Sequence, residues 1–211
     1  MIIWKSIIDI GHTAIMLPLA AAIAGWLLAA GAWKRALVWC VMFVAGVSLV
    51  AFSKVAFLGW ATGIPALGFK ALSGHVLCAS VVLPVFCHVL AHRAPAAWRA
   101  AAVGSGVAAS VALGMLIVYF DFHTASEAIA TFILGMAISL GYLQTAGTMP
   151  APRTNRASIP CGMLVFALVF ALKPSVISHK LDDVALHLSG RERPVAWPSN
   201  LVCKARAPLK G

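Results

Sequence analysis

Apolar residues in this chain come in long uninterrupted blocks rather than at the spacing of a half-buried strand or an amphipathic helix. The blocks fall at about residues 13–32, 36–60, 73–90, 100–120, 124–143 and 159–172. About 20 apolar residues suffice to cross hydrocarbon as a helix rising about 1.5 Å per residue. In a bilayer each backbone polar group must be satisfied within its own segment, so helices are the expected form. The pattern therefore predicts an all-α, polytopic membrane bundle of about six transmembrane helices. Residues 1–177 make up this transmembrane domain, and 178–211 form a polar, basic C-terminal tail. The last block is short unless it continues past Lys173. A signal peptide is the alternative for the first block, because Ala30-Gly31-Ala32 loosely resembles a cleavage site. The block's length and the acidic Asp9 argue against it.

Composition strengthens the membrane reading. Hydrophobic residues are 62% of the chain and charged ones 10%, against about a quarter charged in a soluble domain; the mean hydropathy is +0.95. The net charge of +10 resides in loops and tail, and nothing in it points to nucleic acid. Loops 1–2, 3–4 and 5–6 contain Lys34, Arg35, Arg93, Arg99, Arg153 and Arg156, whereas the opposite face carries Lys54 and Lys70. The richer side is expected to be cytoplasmic, which predicts a multi-pass inner-membrane protein with both termini outside. The basic tail, with Lys180, Arg191, Arg193, Lys204, Arg206 and Lys210, runs against that rule. Its 184–188 stretch predicts either an amphipathic helix on a lipid surface or a solvated tail near acidic head groups. Cys40, Cys78, Cys87, Cys161 and Cys203 show no C-x-x-C spacing and read as small inert residues. Trp4, Trp33, Trp39, Trp60 and Trp98 lie near span ends, as an aromatic belt does; Trp26 and Trp197 do not.

Ionisable groups at apolar spans are costly, so each needs a reason. By alternation, Lys54, Ser73-Gly74-His75, Asp121, His123 and Glu127 share one membrane face, with Asp9 and His12 on the same side. That face is the one expected to be periplasmic. Phosphoryl transfer is chemistry such a set can perform. Amides at a helix start around Ser73 and Gly74 bind anionic oxygens, and Lys54 adds a point charge. One histidine can attack phosphorus while a second protonates the leaving oxygen. His123 and Glu127 are four apart on one helical face, so the carboxylate can fix the imidazole tautomer.

The order and spacing of these segments resemble the type 2 phosphatidic acid phosphatase superfamily over about residues 10–145. The family's lysine motif appears as Ser53-Lys54-Val55-Ala56-Phe57-Leu58-Gly59-Trp60. Its Pro-Ser-Gly-His appears as Leu72-Ser73-Gly74-His75. Its Ser-Arg-x5-His-x3-Asp corresponds to the stretch from Ile117 through Asp121 and His123 to Glu127. Ala61 and Thr62 stand where the family has Arg-Pro, Ile117 where it has arginine, and Glu127 where it has aspartate. The resemblance implies a phosphatase acting on a lipid phosphate or diphosphate, with membrane lipids as its surroundings. It implies His123 as nucleophile, Glu127 orienting it and His75 as acid, with Lys54, Ser73 and Gly74 binding phosphate. It implies no metal and no other cofactor. The departures leave open a weakened or inactive relative that binds lipid phosphates or assembles partners. A transporter is disfavoured, because the polar residues gather at one edge rather than at mid-membrane. Asp121 reads first as a turn residue, Asp9 and His12 as helix-start groups. His88 and His92 have a spacing used for metal or haem ligands, but an interfacial flank explains them better.

Overall fold

The computed structural model describes residues 13–153, 155–172, 177–191, 193 and 195. Asp9, His12, Trp4, Lys173, Trp197, Cys203 and the basic residues Lys204, Arg206 and Lys210 lie outside these residues, as does the side chain of Lys180. Among the described residues seven α-helices follow one another: α1 Thr13–Ala29, α2 Trp33–Trp60, α3 Gly74–Leu90, α4 Ala96–Tyr119, α5 Ala125–Gly147, α6 Ser158–Ala171 and α7 Ile177–Ser189. Among the described residues there is no strand, only an isolated bridge between Ile64 and Phe69.

By length and composition α2, α4 and α5 can cross a membrane, while α1, α3 and α6 are equally apolar but shorter. Their outward faces carry large apolar side chains: Phe52 is 71% exposed, Met115 62% and Ile133 64%. A water-soluble bundle would hide that surface, and lipid does not require it to. The interior is built around α3, which is buried from Val76 to Val82 and again at Pro84, Val85 and Val89. A helix that is apolar on every side belongs in the middle of a bundle. Some interior polar atoms are matched across helices: the Trp39 indole N–H donates to Ala20 O at 2.9 Å, and Ser110 Oγ to Ala79 O at 2.9 Å.

Small residues let the helices approach closely. A Cβ on Gly106 would lie 2.7 Å from Leu83 O and 2.7 Å from Pro84 Cα, both backbone atoms of α3. Neither can move aside as a flexible side chain can. Gly106→Val is expected to push α3 and α4 apart and cost about 1–3 kcal/mol, the usual range for overpacking. Thermal unfolding in detergent, compared with Gly104→Val, where a Cβ meets nothing within 4 Å, checks this.

The contacts fix which ends of the helices lie together. The α1–α2 turn meets the segment after α5, through Arg153 N–H to Ala30 O at 3.0 Å and Arg35 Nη2 to Met149 O at 2.6 Å. His92 sits there too, its ring edge-on to Trp26 at 5.0 Å. At the other end lie the close of α2, the 61–73 connection and the α4–α5 turn. The tail helix α7 docks at that second end. Ala185 is fully buried against α2, with Ser189 Cβ 3.3 Å from where a Cβ on Gly59 would stand, and Val195 N–H donates to Leu58 O at 3.0 Å. Of its apolar residues Ala185 faces protein, while Val184 and Leu188 stay 45% and 61% exposed.

Candidate functional site

The site grows out of the start of α5. Thr124-Ala125-Ser126-Glu127 is a capping box, a sequence signal for a helix start. The Thr124 hydroxyl accepts from the Glu127 amide at 3.4 Å, and Glu127 Oε2 accepts from the Thr124 amide at 3.2 Å. The same Oε2 accepts from His123 Nδ1 at 2.8 Å, while Oε1 accepts from the Lys70 amide at 2.8 Å. Glu127 is only 3% exposed, so its carboxylate is held by N–H donors rather than by water. With Nδ1–H given to Glu127, the His123 Nε2 is left as the basic nitrogen. The side chain of His123 keeps 27% of its surface open.

The connection between α2 and α3 is clamped against this helix start through its main chain. Successive amides find side-chain acceptors on two helices: Lys70 on Glu127, Leu72 on Ser53 at 3.0 Å, and Ser73 on Thr131 at 2.9 Å. Thr131 Oγ1 itself donates to Glu127 O at 2.6 Å. Ser126 Oγ donates to Leu67 O at 2.8 Å. Two non-glycine residues with left-handed backbone frame the region, Ala61 at the end of α2 and Asp121 in the α4–α5 turn.

Between these elements opens a cavity of about 570 Å³, lined by Lys54, Lys70, Asp121, His123 and Glu127 on its polar side. Phe57, Leu58 and Phe122 supply apolar wall. Val118 and Ala125 also line a second, almost wholly apolar groove of about 530 Å³ between α4 and α5, with Met115, Ile129 and Phe132. A polar chamber therefore abuts a hydrocarbon-like trough.

Lys54, His123 and Glu127, expected together from the sequence, share the cavity. Ser73, Gly74 and His75 do not line it. Ser73 is 0% exposed and serves as the cap of α3, its Oγ accepting from the Val76 amide at 3.4 Å. Gly74 begins α3, with Val50 4.0 Å from the place of its missing Cβ. His75 is half-buried one residue further on. Ile117, at the position of the family's arginine, is 3% exposed in an apolar cluster with Val76 and Ala128, pointing into the bundle. Lys70 is the cation that joins Lys54 in the cavity. Thr124 and Thr131 went unnoticed in the sequence: the capping box was legible, whereas the Thr131 contact joins residues 58 apart. His88 and His92 lie at the far end, and His92 Nδ1 contacts Val89 O at 2.8 Å. Among the described residues no three His, Cys, Asp or Glu side chains gather to hold a metal.

A Klebsiella pneumoniae protein described as "Uncharacterized 22.5 kDa protein in cps region" is 31% identical over 160 residues, 74% of this chain and 75% of that one. No family model matches the chain, and no solved structure matches it significantly.

Proposed function

We propose that this chain, which belongs to the family of the Klebsiella pneumoniae 22.5 kDa protein in cps region, is a membrane-embedded phosphatase of lipid phosphates or diphosphates. The observation that carries the reading is the His123–Glu127 pair, 2.8 Å apart, in a cavity that also holds Lys54 and Lys70. His123 Nε2 attacks phosphorus, the bond from phosphorus to the leaving oxygen breaks, and that oxygen takes a proton as the alcohol or phosphate departs. Water then attacks the phospho-histidine, the P–N bond breaks, and inorganic phosphate leaves. Lys54 and Lys70 bind the equatorial oxygens, and Glu127 stabilises the imidazolium-like charge that develops on His123. The neighbouring apolar groove suits the hydrocarbon portion of such a substrate. In this reading all six apolar helices span an inner membrane, the cavity faces the periplasm, and neither metal nor cofactor takes part.

The role that the resemblance gives His75, proton donor to the leaving oxygen, requires its ring to reach through the wall of the cavity. His75→Ala is therefore expected to cost less activity than loss of His123. A second reading has its own support: Ile117 is buried in apolar contacts, and Ala61 and Thr62 bring no charge, so two bidentate phosphate contacts are missing. On that reading the chain binds lipid phosphates, or assembles partners around them, without turning them over. The deciding experiment is phosphate release by the purified protein from phosphatidic acid, phosphatidylglycerol phosphate and a polyprenyl diphosphate. Turnover of at least one, unaffected by a chelator, is the expected result. Binding without release from all three favours the second reading.

A further inference from the structure

The opposite end of the bundle has a different chemical character. The chain's acidic residues are Asp9, Asp121, Glu127, Asp182, Asp183 and Glu192. None of them belongs to the connections α1–α2, α3–α4 or α5–α6 or to the helix turn that follows each, which together hold Lys34, Arg35, Arg93, Arg99, Arg153 and Arg156. A cavity of about 520 Å³ opens there, and Lys34, Arg35, Arg153 and Asn155 line it. Among the described residues no carboxylate lines it.

Local backbone polarity adds to the same sign. The carbonyls that end α1 are already used, Ala30 O by the Arg153 amide at 3.0 Å and Ala29 O by Asn155 Nδ2 at 3.3 Å. The start of α2 has no side-chain cap, and its first residues, Trp33, Lys34 and Arg35, line the cavity. The positive pole of one helix is thus open while the negative pole of its neighbour is covered. Arg35 is spent partly on structure, donating from Nη2 to Met149 O at 2.6 Å, and its buried Nε has no partner among the described residues. Lys34 Nζ stands 5.6 Å from the Trp33 ring centroid, beside a tryptophan that is 59% exposed. The flanking helices present Leu28 and Leu37 outward, 58% and 57% exposed. Cationic pocket, exposed indole and apolar flanks follow one another as head group, interface and acyl chains do in a lipid.

We propose that this cavity binds the phosphodiester head group of an anionic phospholipid from the leaflet at that end, with Lys34 and Arg153 on the phosphate oxygens. The site is separate from the His123 cavity and stands whether or not the phosphatase reading holds.

Native mass spectrometry of the full chain in detergent tests it, with phosphatidylglycerol, phosphatidylcholine and glycerol 3-phosphate as probes. One phosphatidylglycerol is expected to bind in preference to phosphatidylcholine. The pair Lys34→Gln with Arg153→Gln is expected to weaken that binding by about tenfold or more, and Arg156→Gln, outside the cavity, to leave it unchanged. Lys34→Gln alone, on an exposed side chain, shows a smaller loss and covers the case in which the double variant folds poorly. Equal binding of the two lipids, full retention in the Lys34→Gln chain, or an equal loss in Arg156→Gln overturns the proposal. Glycerol 3-phosphate binding as tightly as the lipid also overturns it, by making the ligand a soluble anion.

Discussion

His123→Ala is expected to lower phosphate release from a lipid phosphate by about 10³-fold or more while leaving the bundle intact. The side chain bonds Glu127 Oε2 and keeps 27% of its surface open, so its loss uncovers little core. The measurement is phosphate release in vesicles beside helix content and thermal midpoint. Acid-quenched protein should carry radiolabel from a labelled substrate in the parent chain and none in the variant. Retained turnover in His123→Ala removes the nucleophile assignment, whatever His75→Ala does.

Changes at Glu127 are expected to separate structure from chemistry. Glu127→Ala strips an acceptor from the Lys70, Thr124 and His123 N–H groups together. Each buried donor left without a partner costs about 1–3 kcal/mol, so a clear fall in thermal midpoint accompanies the loss of activity. Glu127→Gln is the more telling variant. Its single carbonyl can still accept from the Lys70 amide, which keeps the 61–73 connection in place. Its NH2 then faces His123 Nδ1, and the imidazole must turn its proton to Nε2, the nitrogen that should attack. The expected outcome is a smaller stability loss than in Glu127→Ala, because the Thr124 amide still loses its acceptor on Oε2, with activity down about 10²–10⁴-fold. Stability and activity falling in proportion would make Glu127 a structural hub alone.

The apolar helices were legible because run length is a property of the local sequence. Their ends were less so: α1 stops at Ala29, before the apolar run is over, because Gly31 takes the left-handed turn into α2. The His123–Glu127 pair was legible for the same local reason, a four-residue spacing on one helix. Ser73 and Gly74 show where that reasoning ends. A serine before a glycine at a helix start suits an anion cradle and an ordinary cap equally well. What decides between them is Thr131, which takes the Ser73 amide from another helix and leaves the serine fully buried. Lys70 is the converse case, a loop cation with no local mark. It enters the cavity because its own amide is tied to Glu127, 57 residues away. The docking of α7 on Gly59 was likewise beyond the pattern, since amphipathicity states that a face will be covered and not by what.

The clamp on the 61–73 connection acts through main-chain amides at Lys70, Leu72 and Ser73, so it constrains chain length far more than side-chain identity. A residue such as Leu67 can therefore drift among relatives without displacing the scaffold, whereas an insertion or deletion would break all three attachments together. Divergence in what the cavity accepts is then expected to proceed by substitution at fixed length. Aligned relatives should show a variable but gapless segment here, bracketed by a carboxylate and two hydroxyl residues that stay in place.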